Sequence, residues 1–318
     1  MRKAIHRKYR PKVRAAIAEM DLEKFRTVSL QSVRTLKARE FIFFHDENSD
    51  PFGWMRAFAG NEHLQFQHDT IEESVPDEML RGIAESLLLT VREAPDKVFI
   101  TGCSDPRLVN AVRKLTPVKE APLLIMQLRR ENLNREIMRK WAAQAAEWKG
   151  KLRFEFVQDC PEEYLDAYAD LQNQLLHDMP MDGGPVEYNS WNPEGLRRIN
   201  RFNSENNQTS YSIFVFDTYG KLVGNSDMVI RRQPLRLQQG MTGLLPEYRG
   251  KGLAKILKGL MTERVVQDFP DLDYITTTTS PLNKAMQAIN FNIGFTVEKT
   301  MYEFVLRQEK LEAFRTDQ

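Results

Sequence analysis

The sequence predicts an α/β (α+β) fold built as two tandem copies of one domain, each a mixed, mostly antiparallel sheet flanked by helices. Three observations carry this. The chain has 318 residues, and domains of roughly 100–200 residues make that two. One order of elements (helices, a meander of strands, helix, strand, helix, strand) reads clearly in the second half and more weakly in the first. The segment Val98-Phe-Ile-Thr-Gly-Cys-Ser-Asp-Pro106 matches Asp273-Tyr-Ile-Thr-Thr-Thr-Thr-Ser-Pro281 at an offset near half the chain. Each is a strand, a Ser/Thr-rich turn with Pro, then a helix, which favours duplication over a chance match. The expected divisions are a degenerate first domain over 1–130, a linker helix over 131–150 and a second domain over 151–318.

In the second half, Leu152–Val157 alternates like a strand, and Pro161 opens a helix with Glu162 and Glu163 in its first turn, where the helix dipole favours acids. Met179–Asn192, with Pro180, Gly183, Gly184 and Pro185, is an irregular loop. Pro193–Asn206 is a helix. Tyr211–Asp217, Lys221–Ile230 and Leu235–Leu245 form a meander whose first turn contains Gly220. Lys251–Asp268 places Leu253, Ile256, Leu257, Leu260, Met261 and Val265 on one helical face. Leu272–Thr279 is a strand, Leu282–Ile293 a helix stopped by Gly294, and Phe295–Val297 and Met301–Leu306 are closing strands.

The first half reads as a strand at Ala4–Tyr9, helical segments over Lys12–Lys37 and a meander of Glu40–His45, Gly53–Ala59 and His63–Ile71. A helix follows over Pro76–Ala94, a strand at Lys97–Thr101, a helix at Pro106–Leu115 and a strand at Ala121–Leu128. Between the halves, Leu133, Ile137, Trp141, Ala145 and Trp148 fall near one helical face.

Composition narrows the function. Hydrophobic residues are 42% and charged residues 28%, enough for real cores and against overall disorder. Lys plus Arg number 45 against 44 Asp plus Glu, so no global field draws the chain to nucleic acid or an anionic membrane. The two cysteines, Cys103 and Cys160, support neither a disulfide framework nor a Cys-rich metal cluster. No apolar run reaches the ~18–20 residues of a membrane span, and no apolar region follows the basic N-terminus. The expectation is a cytoplasmic protein.

The segment richest in chemistry is Leu244-Leu-Pro-Glu-Tyr-Arg-Gly-Lys-Gly-Leu-Ala254. A strand ends, a loop carries Arg249, Gly250, Lys251 and Gly252, and a helix begins. A helix N-terminus leaves backbone N–H groups without intrahelical partners. The glycines let an anion approach those groups, and Arg249 and Lys251 add positive charge, with Lys255 and Lys258 one and two turns on. The loop is a pyrophosphate cradle by these criteria.

Arg249-x-x-Gly252-x-Ala254, between a meander and an amphipathic helix, resembles motif A of the GCN5-related N-acetyltransferase (GNAT) superfamily. Downstream, Asn283 opens a helix that ends in Gly294-Phe295, which is also similar to the family's pattern. The resemblance covers residues 152–306 well and 1–130 only as a degenerate copy, similar to tandem-domain acetyltransferases of the mycothiol synthase type. It implies a sheet splayed between its fourth and fifth strands to admit acyl-CoA. Backbone at Leu244 and Leu245 would pair with the pantetheine arm. Arg249, Gly250, Lys251, Gly252, Leu253 and Ala254 would hold the pyrophosphate, and Asn283 would contact the cofactor. The implied reaction is direct attack of a primary amine of a small molecule on acetyl-CoA, with no metal.

Two departures stand out. Asn290 occupies the position of the family's thiolate-protonating Tyr, and an amide is no general acid at neutral pH, though it can hydrogen-bond the sulfur or thioester. The fourth strand also lacks the Glu that some members use as base; Asp227, Glu187 and Glu303 are the substitutes, each more readily a structural carboxylate. The first copy has Glu72, Glu73, Asp77 and Glu78 where phosphates would need cations, so it reads as structural or substrate-shaping. His63 and His68 form no metal site, Cys103 and Cys160 are ordinary buried thiols, and Phe52, Trp54, Phe58 and Phe66 fill the first core. The loop Met179–Asn192, with Asp182, Glu187, Tyr188 and Trp191, is where the family shapes its acceptor site. The competing readings are a CoA-binding module without efficient catalysis and an aminoacyl-tRNA-dependent transferase; balanced charge speaks against the latter.

Overall fold

The computed structural model describes 27–31, 38–43, 53–59, 64–70, 97–103, 106–180, 190–232, 235–307 and residue 309. In chain order its strands and α-helices are β1 (Thr27–Gln31), β2 (Ala38–Phe43), β3 (Gly53–Ala59), β4 (Leu64–Thr70), β5 (Lys97–Cys103), α1 (Pro106–Lys114), β6 (Lys119–Arg129), α2 (Arg135–Ala143), β7 (Leu152–Gln158), α3 (Leu165–His177), α4 (Pro193–Glu205), β8 (Gln208–Asp217), β9 (Leu222–Arg232), β10 (Leu235–Leu244), α5 (Leu253–Asp268), β11 (Tyr274–Thr279), α6 (Lys284–Ile293) and β12 (Thr296–Arg307).

The chain divides into two compact units, Met1–Pro122 with Met301–Gln318, and Leu123–Thr300. In the first unit β1, β2, β3 and β4 pair antiparallel in sequence, and β4 then pairs parallel with β5 over Leu64–Phe66 and Val98–Ile100. The second unit repeats this wiring. Its strands β7, β8, β9 and β10 pair antiparallel, and β10 pairs parallel with β11 over Leu237–Gln239 and Ile275–Thr277. The strands of the repeated segment, β5 and β11, thus hold the same place in both units.

The closing strands depart from expectation. In sequence order Ala121–Leu128 is the last strand of the first copy and Met301–Leu306 that of the second. Instead β6 pairs antiparallel with β11 from Tyr274↔Arg129 to Thr279↔Leu124, and β12 pairs antiparallel with β5 from Tyr302↔Cys103 to Arg307↔Lys97. Each copy's last strand completes the other copy's sheet. The second compact unit accordingly begins at Leu123, and 301–318 join the first. The expected linker helix belongs wholly to the second unit: Trp141 sits in its core, and a Cβ on Gly259 of α5 would lie 2.8 Å from Ala142 N and 2.9 Å from Met138 O. Only a glycine lets α2 approach α5 this closely.

Two further expectations change. Thr27–Gln31, inside the stretch expected to be helical, is a strand, in keeping with its β-branched Thr27 and Val28. Phe295–Val297 and Met301–Leu306 are parts of one strand. The strand at Ala4–Tyr9, the helix at Pro76–Ala94 and the acids Glu72–Glu78 lie outside the described residues.

The second unit has two cores, one on each face of its sheet. Strand β8 feeds both, with Ile213 and Val215 on one side and Phe214 and Phe216 on the other, which is why it reads as a continuous apolar run. The first face packs α2, α5 and α6 through Trp141, Leu253, Ile256, Leu257, Ile289 and Ile293. The second packs α3 and α4 through Leu165, Leu171, Leu175 and Leu196. Helix starts follow side-chain capping: Asn134, Asn192 and Asn283 each accept the backbone N–H three residues on, at 3.1, 2.8 and 3.1 Å.

Helix α6 ends at Gly294, whose φ is +115°. A Cβ there would lie 2.0 Å from Asn132 O. Gly294→Ala therefore combines a left-handed backbone with a backbone clash. We expect a loss of at least about 2 kcal/mol, read as a lowered midpoint in urea; an unchanged midpoint would show that the 130–134 segment does not bear on α6.

Candidate active site

Strand β10 keeps company with β11 only as far as Gln239, opposite Thr277, and then runs on to Leu244. Beyond that point its β11-facing edge is unpaired. A bulge lies at the parting: pairing with β9 jumps from Gln239↔Met228 to Thr242↔Ser226, so Gly240 and Met241 together face Asp227. Bulges bend a strand and raise its twist. The Gly240 backbone lies close to β9, since a Cβ there would meet Asp227 Cβ at 3.3 Å.

The bonding of Leu245 fixes which groups face the opening. Leu245 N–H donates to Val223 O at 2.9 Å, and Leu244 pairs with Gly224. That makes Leu244↔Gly224 a non-hydrogen-bonded pair, with Leu244 N–H turned away from β9 and towards the opening. Leu244 C=O accepts from Arg249 Nε at 2.8 Å, and Leu245 C=O accepts from Tyr248 N at 2.9 Å. Of the two expected backbone partners, Leu244 thus presents its N–H, while both groups of Leu245 are already engaged.

The cradle follows. Gly250 and Gly252 adopt φ of +75° and +81°, and a Cβ at either would meet nothing within 4 Å. The first backbone bonds of α5 run from Lys255 N and Ile256 N to Gly252 O, at 3.0 and 3.3 Å. No side chain caps this helix, in contrast to α2, α4 and α6. The N–H groups of Leu253 and Ala254 precede the first helical bond. This arrangement fits a diphosphate.

The cations divide. Arg249 is held by Leu244 O and by Asp178 Oδ2 at 2.6 Å. Burial pushes the Asp178 carboxyl up, but Arg249, Gln174 and His177 outweigh it and the pKa falls below its usual value. Lys251 is exposed with Nζ on Glu247 O at 2.7 Å, and Lys255 Nζ lies 5.8 Å from the Trp141 ring centroid. Lys258, expected to join them, points into the core instead. It is 1% exposed with Nζ 5.6 Å from the Phe295 ring centroid, and burial lowers its pKa from 10.5 to about 7.

Asn283 caps α6 through Oδ1, on Met286 N. Asn290 is fully buried; its Nδ2 donates to Thr279 Oγ1 at 3.2 Å and lies 3.6 Å from Met126 Sδ, and its Oδ1 has no partner. Asp227 lies on β9 facing α3. It accepts from Asn225 at 2.6 Å, Ser212 at 2.8 Å and Gln172 at 3.0 Å, and also bonds Tyr168. Burial raises its pKa against these donors. These bonds tie α3 to β8 and β9. Burial, then the nearby Asp227, holds the Cys160 thiol protonated with a pKa of about 12. Trp191 exchanges two bonds with Asn173, Trp191 N to Oδ1 at 2.7 Å and Nδ2 to Trp191 O at 2.9 Å. Asp182, Glu187 and Tyr188 lie outside the described residues, and Glu303 is in the first unit. Sequence reasoning missed Gln239 at the parting; its one signal was a polar residue in the apolar register of Leu237.

This sheet, splayed beside an uncapped glycine helix start, is the fold of the GCN5-related N-acetyltransferases. Three solved structures share it. A tandem GNAT protein from the clavulanic acid biosynthesis pathway is 14% identical with a TM-score of 0.61, covering 85% of this chain and 83% of its own. A GCN5-related N-acetyltransferase from Sphaerobacter thermophilus is 12% identical at 0.53, covering 93% and 85%. A GCN5-related glucosamine N-acetyltransferase region of a fungal multi-domain GH3 β-N-acetylglucosaminidase is 12% identical at 0.57, covering 86% and 33%. No family model and no curated protein matches the sequence. Among the described residues no helix is long and apolar enough to cross a membrane.

Lys258 yields a pH test. Between about 7 and 10.5 the unfolded chain binds a proton that the folded chain does not, so stability rises with pH across that window. Lys258→Met should remove this rise. We expect the parent to gain on the order of 2–4 kcal/mol relative to the variant between pH 6 and 9.5, measured by urea titration at each pH. Parallel curves would show that Lys258 reaches solvent.

Proposed function

We propose that the chain is an acyl-CoA-dependent N-acyltransferase that moves an acetyl group from acetyl-CoA to a primary amine of a small molecule by direct attack. The observation that carries this is the continuity of opening and cradle: an unpaired β10 edge ending at Leu244 runs directly into the glycine loop and the bare N-terminus of α5. Leu244 N–H would bind an amide of the pantetheine arm. Arg249, Gly250, Lys251, Gly252, Leu253 and Ala254 would bind the diphosphate, chiefly through backbone N–H groups, with Lys255 adding charge. The Asn283 amide nitrogen, opposite the oxygen that caps α6, would contact the arm from the other side. When bound, acyl-CoA supplies an activated thioester, so the chain's own task is to orient it and exclude water. Asn290 offers only an acceptor oxygen and would position rather than protonate. The two cysteines and balanced charge fit a cytoplasmic enzyme without a nucleic-acid partner.

One observation favours a second reading, a CoA-binding module with little turnover. The groups nearest in type to an acid and a base, Asn290 and Asp227, are committed: the amide nitrogen to Thr279, the carboxylate to its four donors. Release of free CoA thiol from acetyl-CoA across an amine panel separates the readings. Release with at least one amine supports transfer, and tight CoA binding without release supports the module.

The cradle is tested by Ala254→Glu. Gly252 is a poor site for substitution because its φ of +81° would strain any side chain. Ala254 is helical and partly exposed, and an acid in a first turn suits the dipole. Repulsion between unit charges ~4 Å apart is on the order of 1–4 kcal/mol. We therefore expect normal melting and CoA affinity reduced tenfold or more by calorimetry. Parent-like binding would remove the cradle from the mechanism.

A second expectation concerns stoichiometry. The first unit carries acids at Glu72–Glu78 where the second carries Arg249–Lys251, so calorimetry should give one CoA per chain; two would overturn the division of labour.

A further inference from the structure

We infer that Gln239 is a positioning residue, the clasp that holds the β10 bulge and thereby keeps β10 and β11 apart. The inference rests on the acyl-CoA reading of the opening. A bulge disrupts the ladder locally, and the buried backbone groups beside it still need partners. Asp227 is the residue opposite the bulge. Its backbone oxygen accepts from a side chain, Gln239 Nε2, at 3.0 Å. The same amide reaches Ser226 Oγ at 3.0 Å and Thr242 Oγ1 at 3.4 Å, and those two hydroxyls lie 2.8 Å apart. One side chain therefore binds the residue before the bulge to the first residue after it and to both residues of β9 alongside.

The placement argues against a merely filling role. Gln239 is 3% exposed and alternates with Leu237 on the face packed by α5. An apolar residue would suit that face better, since the amide leaves Oε1 buried without a partner. What the amide adds is a donor at Asp227 O. Gln239 is also the last β10 residue paired with β11, opposite Thr277, whose Oγ1 donates to Gln239 O at 3.3 Å. The clasp thus sits at the apex of the opening. Without it the bulge cannot slip out, because a one-residue shift would turn Leu244 from the core; it would instead loosen, and ligand binding would have to order it again.

The test uses the full chain with Gln239→Leu and, as an unbranched replacement of similar length, Gln239→Met. CoA binding is measured by calorimetry and backbone amide exchange by mass spectrometry. We expect both variants to melt cooperatively, to bind CoA at least tenfold more weakly than the parent, and to exchange faster over Gly240–Leu244 while β8 stays protected. CoA affinity within threefold of the parent overturns the inference, as does loss of the fold in both variants. Should the parent itself fail to bind CoA, the acyl-CoA reading falls, and the exchange over Gly240–Leu244 alone decides the clasp: faster in the variants upholds it, unchanged overturns it.

Discussion

Beyond Gln239, strand β10 can satisfy only one neighbour. Its antiparallel ladder with β9 resumes at Thr242, and that commits every second residue to β9 and turns Leu244 N–H to the other side. The parallel ladder with β11 stops after three residue pairs. Most features of the site follow from this choice. The free edge gives an extended amide chain something to pair with. The strand's new direction delivers Pro246–Gly252 to the start of α5, where two left-handed glycines leave N–H groups bare. The first unit makes the same choice between β4 and β5, whose parallel contact is also three pairs long. What distinguishes the units is the charge that follows: acids after β4, cations after β10.

The buried polar groups of the second unit serve geometry. Asp227 gathers donors from α3, β8 and β9, its backbone oxygen takes Gln239, and Asn290 reaches from α6 to β11. Each joins neighbouring elements of the unit. Net hydrogen bonds contribute only about 1 kcal/mol each, so their main effect is to exclude other arrangements of the same apolar surfaces. Lys258 is the exception, since among its described contacts only the Phe295 ring compensates its charge.

Much of this was legible in the residues. The loop before α5 could be read because left-handed backbone calls for glycine, here Gly250 and Gly252. The helix starts were legible at Asn283 and Pro193 for a similar reason. Other features were not local. A nearly continuous apolar strand such as Leu123–Leu128 states that it is buried but not against which partner, so the exchange of closing strands had no signal. Lys258 lies in the helical register of Met261, Thr262 and Val265, but charge in that position reads as solvated until Phe295 is seen beside it. Thr27–Gln31 shows the reverse, a strand within a polar run that a helical pattern also suits. Gln239 is informative only once a bulge sets Asp227 O within reach of its amide.

The exchange of β6 and β12 bears on synthesis. A domain encoded in one contiguous stretch can finish folding while the rest of the chain is still being made. Here β5 at residues 97–103 waits for residues 302–307, some two hundred residues later. During that interval β5 presents an unpaired edge of the kind that invites pairing with another chain. The second unit has no such wait, because its β6 emerges before β11. The order of emergence therefore makes the second unit the earlier one to close, and leaves the first half of the chain as the last part of the molecule to become a domain.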